Sequence, residues 1–343
     1  MRHLSPFHDI VAVEAWDAWF RWRDGSQLRD LAINDTWQRV ARALSPAEPD
    51  GMHARFEQQL LDACLGWRLL LDERLLVTAG TDSPDWPADG LAASLNAAVF
   101  VQAPFTVQAA FRHEAFEHTA ELAVRALDDA AQMAPNGTRR AGAHLRIGII
   151  GLADALAELR LPYDSAPGRA AARDIARSLA RGCLRGSVRL AGERGAAFAL
   201  PDVPALNYKL RELSPELEAE AERHGLRHQR LTDITSQRRL ALLANNVTDA
   251  IDPLLAQGYA HTISGADATR SVCSPGYAIA LAQRLHARQA LRTLTGELDA
   301  LSSEAQIELR AAMQMWIDNP ILYPLATPAT AETVKAAAAL GVV

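Results

Sequence analysis

Residues 146–156 read Arg146-Ile147-Gly148-Ile149-Ile150-Gly151-Leu152-Ala153-Asp154-Ala155-Leu156. Arg146 to Ile150 is a short apolar run rich in β-branched residues, which predicts a buried strand. Gly151 breaks the strand, and the LADALAEL that follows predicts a helix stopped by Pro162. A strand running straight into a helix is the repeating unit of α/β folds. Upstream, residues 74–80 (RLLVTAG) and 95–103 (LNAAVFVQA) predict two more strands. Downstream, residues 231–246 (LTDITSQRRLALLANN) predict one strand or two, and residues 319–330 an extended, proline-broken segment. Helical periodicity covers residues 52–71, 107–133, 170–193, 214–224, 275–296 and 303–317, and the chain ends on an Ala-rich helix. Asn34-Asp35-Thr36 offers a cap for a helix carrying Trp37, Val40, Ala41 and Leu44 on one face. The expected fold is therefore α/β and predominantly helical. A small helical unit over residues 1–48 is set off by Pro46, Pro49 and Gly51, and the remainder spans residues 49–343.

The chain has 343 residues, 49% hydrophobic and 22% charged, which is the composition of a globular protein and excludes disordered and collagen-like classes. No apolar run is long enough to span a membrane, and the first residues lack the apolar core of a secretory signal. Cys64, Cys183 and Cys273 contain no CxxC and form no disulfide framework, which points to a reducing cytoplasm. A net charge of −6 weighs against a DNA partner. Of 35 basic residues only Lys209 and Lys335 are lysine. Arginine is the better fork for phosphate and carboxylate, but these arginines are scattered, as a compositional bias would leave them.

The 146–156 block, continued by Leu161-Pro162-Tyr163-Asp164-Ser165, resembles the large catalytic subunit of ribonucleotide reductase, most closely its adenosylcobalamin-dependent class II. TWQRVARAL, WFRWRDG, LLVTAGT, residues 231–255 and WIDNPILYPLATP resemble further segments of that family, in the same order. The resemblance implies an α/β barrel, radical reduction of ribonucleotides, and adenosylcobalamin as cofactor.

The departures are as informative. The family's Asn-x-Cys-x-Glu radical loop occurs nowhere in this chain, and the segment that should hold it is absent between about residues 105 and 120. Where the family has its first reducing cysteine, this chain reads Asn96-Ala97-Ala98. The glycine-bearing phosphate loop is replaced by Ser236-Gln237-Arg238-Arg239. The reducing cysteine pair expected near the end is replaced by AAAALGVV. Alanine has no S–H to give up and no redox couple.

Other residues could carry chemistry. Ser236, Arg238, Arg239 and Asn246 stand where the resemblance places substrate phosphate, and the two arginines could grip an anion by side chain. Glu114, Glu117, His118 and Glu121, with His113 beside them, share one helical face, a pattern that can hold a metal. They lie opposite the stripe of Phe116, Ala120, Ala123 and Leu127, so the expectation is a solvated face and no metal. Cys273 precedes Ser274-Pro275, a helix-capping pair that could acidify its thiol, although the expectation is an inert one. His224 and His228 are separated by a helix-breaking glycine.

These readings lead to a remnant of the reductase barrel that is non-catalytic: a nucleotide-binding, regulatory or partner protein, acting with a full-length reductase or as a homodimer. The alternative is a reductase-like enzyme with a rearranged or incomplete site, and a third is a helical scaffold without a ligand. A barrel that has lost strands must cover its apolar sheet. Ile147, Ile149 and Leu152 are accordingly expected to be fully buried under helices.

Overall fold

The computed structural model describes residues 7–135, 144–255, 258–265, 269–289, 291, 301–322, 324, 325, 330–340 and 342. In chain order the elements are α1 (Ile10–Trp19), β1 (Arg23–Asp24), β2 (Gln27–Leu28), α2 (Ile33–Leu44), α3 (His53–Leu65), β3 (Leu69–Leu71), α4 (Glu73–Thr78), β4 (Ala92–Asn96), β5 (Val101–Gln102) and β6 (Ala110–Phe111). There follow α5 (His113–Gln132), β7 (His144–Ile150), α6 (Leu152–Glu158), α7 (Ala166–Arg194), α8 (Pro204–Leu213), α9 (Pro215–His224), β8 (Arg230–Thr232), α10 (Arg238–Leu243), β9 (Tyr259–Ser264) and β10 (Thr269–Ser274). The last helices are α11 (Tyr277–Arg284), α12 (Ser303–Gln314) and α13 (Ala331–Ala339).

The central sheet has four strands in the order β3-β4-β7-β8, and it does not close into a barrel. β3 and β4 are antiparallel, while β4–β7 and β7–β8 are parallel, with Ala93 opposite Ile147 and Ile147 opposite Thr232. Parallel strands need covering on their faces. Here α5 lies on β3, β4 and β7, and α7 on β8. Ile147, Ile149 and Leu152 are 0, 1 and 0% exposed, as the missing strands require. One continuous core runs from Trp16 to Ile321, so α1 and α2 share it with the sheet.

The outer edge of β8 is blunted by side chains rather than by another strand. Asp318 accepts from the amides of Leu231 (2.7 Å) and Thr232 (3.0 Å), and Lys209 pairs with that carboxylate. A buried charge at an edge resists pairing with a second chain.

The two long helices meet closely because α7 carries glycine at the seam. A Cβ on Gly182 would lie 2.3 Å from the Glu117 carbonyl oxygen, and one on Gly186 would lie 3.0 Å from Val124 Cβ. A row of arginines at every fourth position of α7 flanks these glycines. Arg177 and Arg181 donate to the carbonyls of Glu212 (3.1 Å) and Leu213 (2.9 Å), closing the open end of α8.

Several expected elements differ. RLLVTAG is not a strand. Asp72 accepts from the Arg74 amide at 3.0 Å and starts helix α4, so the strand is the fully buried Leu69–Leu71 just before it. That strand also ends the helix expected over residues 52–71 at Leu65. LNAAVFVQA is strand to Asn96, whose Oδ1 accepts from the Ala98 amide at 3.2 Å and turns the chain into a 3-10 helix, and strand again only at Val101–Gln102. The helix expected over 107–133 begins at His113, after the β5–β6 hairpin. Residues 231–246 hold one strand and helix α10. Residues 319–322 run beside β8 without forming a strand, and residues 323 and 326–329 of that segment lie outside the described residues. The β9–β10 hairpin and α8 were not expected. Asp35 serves α2 from inside the helix, accepting from the Leu31 and Ala32 amides at 2.7 and 2.8 Å. Among the described residues no helix is long and apolar enough to cross a membrane.

Candidate functional site

In parallel α/β sheets chemistry gathers at the carboxyl ends of the strands. β4 ends on Asn96, Ala97 and Ala98, all buried. β7 ends on Gly151, at φ +71°, whose amide donates to the Thr248 carbonyl at 2.8 Å. A Cβ at Gly151 would lie 2.7 Å from Asn96 Oδ1 and 3.4 Å from the Cβ atoms of Ala98 and Val247. Only glycine fits this turn and this approach.

Asp154, in the first turn of α6, is fully buried and accepts from the amides of Thr248 (2.6 Å) and Ala278 (2.8 Å). It fastens the loop at Thr248 and the start of α11 over the end of the sheet. Burial raises its pKa, and the two amides pull the other way. Glu158, one turn further on, is 1% exposed, and its Oε1 has no hydrogen-bond partner among the described residues. Burial, and then the neighbouring Asp154 charge, hold its carboxyl well above the usual range and favour the neutral acid.

The segment expected to hold phosphate already holds a carboxylate. Ser236 Oγ donates to Asp249 Oδ2 at 2.6 Å, and the Gln237 amide donates to Asp249 Oδ1 at 2.6 Å. Arg238 Nε stands 3.6 Å from Asp249 Oδ2. Asp249 thus engages the hydroxyl and amide that a bound phosphate would use. Arg239 turns away, 3.4 Å from Glu73 and 5.0 Å above the Trp19 ring. Asn246 is buried and structural. Its Nδ2 donates to the carbonyls of Ser274 (3.2 Å) and Pro275 (3.0 Å), and its Oδ1 lies 2.8 Å from His261 Nε2. Of the four residues singled out from the sequence, Ser236 and Arg238 meet at Asp249, while Arg239 and Asn246 serve other contacts.

The acidic face of α5 is not the solvated surface that was expected. Glu117 is buried and Glu121 half-buried, because α7 covers them. Arg181 and Arg185 reach Glu117 at 3.6 and 3.5 Å, Arg185 reaches Glu121 at 2.9 Å, and Arg189 also pairs with Glu121. His113 Nδ1 lies 2.8 Å from Ser178 Oγ, and Glu114 and His118 are exposed. Two of the three carboxylates that could have bound metal, Glu117 and Glu121, are thus paired with guanidinium groups. Among the described residues no cluster of metal-ligating side chains is found.

At the far end of the same seam Arg194 joins Glu48 (2.8 Å), Asp128 (2.6 Å) and Asp129 (2.7 Å). Asp128 also takes Arg227 Nε at 3.0 Å and faces the buried His228 at 3.4 Å. Burial raises Asp129, Arg194 opposes this and Glu48 adds to it, leaving it at about 8. His224 closes α9 against Gly192, so the two histidines serve different contacts.

The thiols are not arranged for redox work. Cys64 and Cys183 are buried. Burial pushes Cys64 up to about 12 and Cys183 well above its usual value, so neither presents a thiolate at neutral pH. Cys273 is exposed on β10. It does not face a helix N-terminus, since Ser274 is the last residue of the strand and α11 begins at Tyr277.

Asp154, Glu158 and Asp249 were not singled out in the sequence. The signal for the first two was present: carboxylates four apart in the otherwise apolar LADALAEL predict charged groups on a buried helix. Asp249 gave none, because its partners lie 12 and 13 residues earlier across a loop.

No curated protein matches the chain. Residues 91–339 match the family described as ribonucleotide reductase, barrel domain. That stretch covers most of the chain and includes β4, β7 and β8 with the helices packed on them. The chain belongs to the ribonucleotide reductase family and carries its barrel domain in the form of an open, helix-covered sheet.

Proposed function

We propose that this chain is a non-catalytic member of its family, a regulatory or partner protein of the cytoplasm that no longer reduces ribonucleotides. The observation that carries this reading is the chemistry at the carboxyl end of the sheet. Reduction of a ribose by a thiyl radical needs one thiol to take a hydrogen atom and two more to deliver electrons. The end of β4 offers Ala97 and Ala98 instead, and two of the three cysteines are buried in α3 and α7.

The same end gives adenosylcobalamin no place to act. That cofactor would supply a carbon radical to a thiol beside the substrate. Beside Gly151 there is no room even for a Cβ, which would meet Asn96, Ala98 and Val247, and Asp154 ties down the Thr248 loop and the start of α11. These residues do not fit the group. Any nucleotide contact left at this end falls to the side chains of Arg238 and Arg239, since Asp249 takes the Ser236 hydroxyl and the Gln237 amide.

The test is a reduction assay on the full chain with ribonucleoside diphosphates and triphosphates, adenosylcobalamin and a dithiol. The expected result is no deoxyribonucleotide above background. Product that disappears in a Cys64→Ser/Cys183→Ser/Cys273→Ser variant would establish a rearranged active site and overturn the reading.

A further inference from the structure

A groove with a volume of about 700 Å³ lies between α3, α5 and α7. Its floor is apolar, built from Ala63, Ala115, Leu122 and Leu190. Its walls carry four arginines from four stretches of chain: Arg55 from α3, Arg68 from the turn before β3, Arg125 from α5 and Arg189 from α7. His118 is on the same wall as Arg125.

The charges do not cancel inside the groove. Arg125 is matched by Glu48 and Glu193, and Arg189 by Glu121. Asp62, the remaining acid, accepts from Gln58 Nε2 at 2.7 Å. Arg68 gives Nη2 to the Asp62 carbonyl oxygen at 3.0 Å, and neither Arg55 nor Arg68 forms an ion pair among the described residues. Two guanidinium groups therefore face one concave surface without a carboxylate of their own. Converging like charges repel unless an anion sits between them, and low-dielectric walls strengthen the attraction for that anion. Arginine suits phosphate in particular, because its planar fork donates two parallel hydrogen bonds.

We propose that this groove binds a polyphosphate chain, held chiefly by Arg55 and Arg68. Inorganic polyphosphate and nucleoside polyphosphates share that chemistry, and the apolar floor offers a base a surface that the inorganic ion would not use. Arg68 adjoins the end of β4, where its carbonyl accepts from the Asn96 amide at 3.2 Å, but the groove uses none of Ser236, Arg238 and Arg239. It stands or falls on binding alone, whether or not the chain reduces ribonucleotides.

The test is calorimetric titration of the full chain with sodium tripolyphosphate and, separately, with adenosine triphosphate. The proteins are the wild type, Arg55→Ala/Arg68→Ala and Arg238→Ala/Arg239→Ala. Tripolyphosphate is expected to bind the wild type, more weakly as salt rises. Its affinity should fall by about tenfold or more in the first variant, equivalent to about 1.4 kcal/mol, and stay unchanged in the second. Tighter binding of the nucleotide would assign a nucleoside polyphosphate, and equal binding the phosphate chain alone. No binding by either probe, or loss in the Arg238/Arg239 variant instead, would overturn the proposal. Neither altered arginine in the first variant is engaged by a carboxylate, so unchanged circular dichroism and melting without ligand will show that the fold is intact.

Discussion

The α5–α7 seam and helix α6 both bury carboxylates, and they stabilise them in opposite ways. In the seam every acid meets a guanidinium: Glu117 and Glu121 face the arginine row of α7, and Glu48, Asp128 and Asp129 converge on Arg194. On α6 no guanidinium is in ion-pair contact with an acid among the described residues. Asp154 is held by two backbone amides, and Glu158 by the neutral form that burial favours. The seam thus joins helices by guanidinium–carboxylate contacts, with Asp129 the member that burial pushes toward its neutral form. The α6 acids close the end of the sheet, and they depend on hydrogen bonds and on a proton.

The comparison is broken most severely at Arg194. Arg194→Met would leave three buried carboxylates short of their shared cation, and the expected loss is about 3–5 kcal/mol in urea unfolding. A loss below about 1 kcal/mol would mean the cluster relaxes into solvent and is not a buried joint. Next comes Asp154→Ala, which strands the Thr248 and Ala278 amides at about 1–3 kcal/mol each. It should also speed hydrogen exchange at both amides, which a mere loss of packing elsewhere would not do. Gly182→Ala forces a Cβ against the Glu117 carbonyl, where overpacking costs about 1–3 kcal/mol. Gly192→Ala, whose nearest neighbour would be His224 at 3.4 Å, should cost nothing and serves as its control.

The smallest effect separates the two modes most cleanly. Glu158 has a folded pKa above its unfolded value, so its contribution to stability is complete below the unfolded pKa of about 4.3 and is lost as pH rises toward the folded one. Glu158→Gln removes that loss. It should leave stability at pH 4 nearly unchanged and raise it at pH 7, flattening a slope of at most about 1.4 kcal/mol per pH unit. Glu117→Gln, in the seam, should produce no such flattening. Identical pH profiles for Glu158→Gln and the wild type would place the Glu158 carboxylate in contact with water.

How much of this was legible follows from the range of the interactions. RIGIIGLADAL announced β7 and α6 because strand, glycine turn and helix are all local, and the burial of Ile147, Ile149 and Leu152 followed from an apolar run with nowhere wet to go. The family was legible from the same block. RLLVTAG misled because a leucine-rich run reads equally as buried strand or buried helix. Asp72, two residues before it, settled the matter through a cap. The acidic face of α5 misled for a longer-range reason. Its helical wheel showed one apolar stripe, but α7 packs beside that stripe, with glycines against Ala120 and Val124 and arginines reaching round to Glu117 and Glu121, and an arginine row has no hydrophobic signature. Closure of the phosphate segment by Asp249 was invisible for the same reason, since it rests on a loop returning to its own start.

That closure is the centre of the account. It is tested most directly by titrating wild type and Asp249→Ala with a ribonucleoside diphosphate, reading binding through the amide signals of Ser236 and Gln237. The account predicts no perturbation of either amide in the wild type, and saturable perturbation of both once Asp249 is removed. Saturable perturbation in the wild type, abolished by Arg238→Ala/Arg239→Ala, would contradict it and return the phosphate site to the end of the sheet.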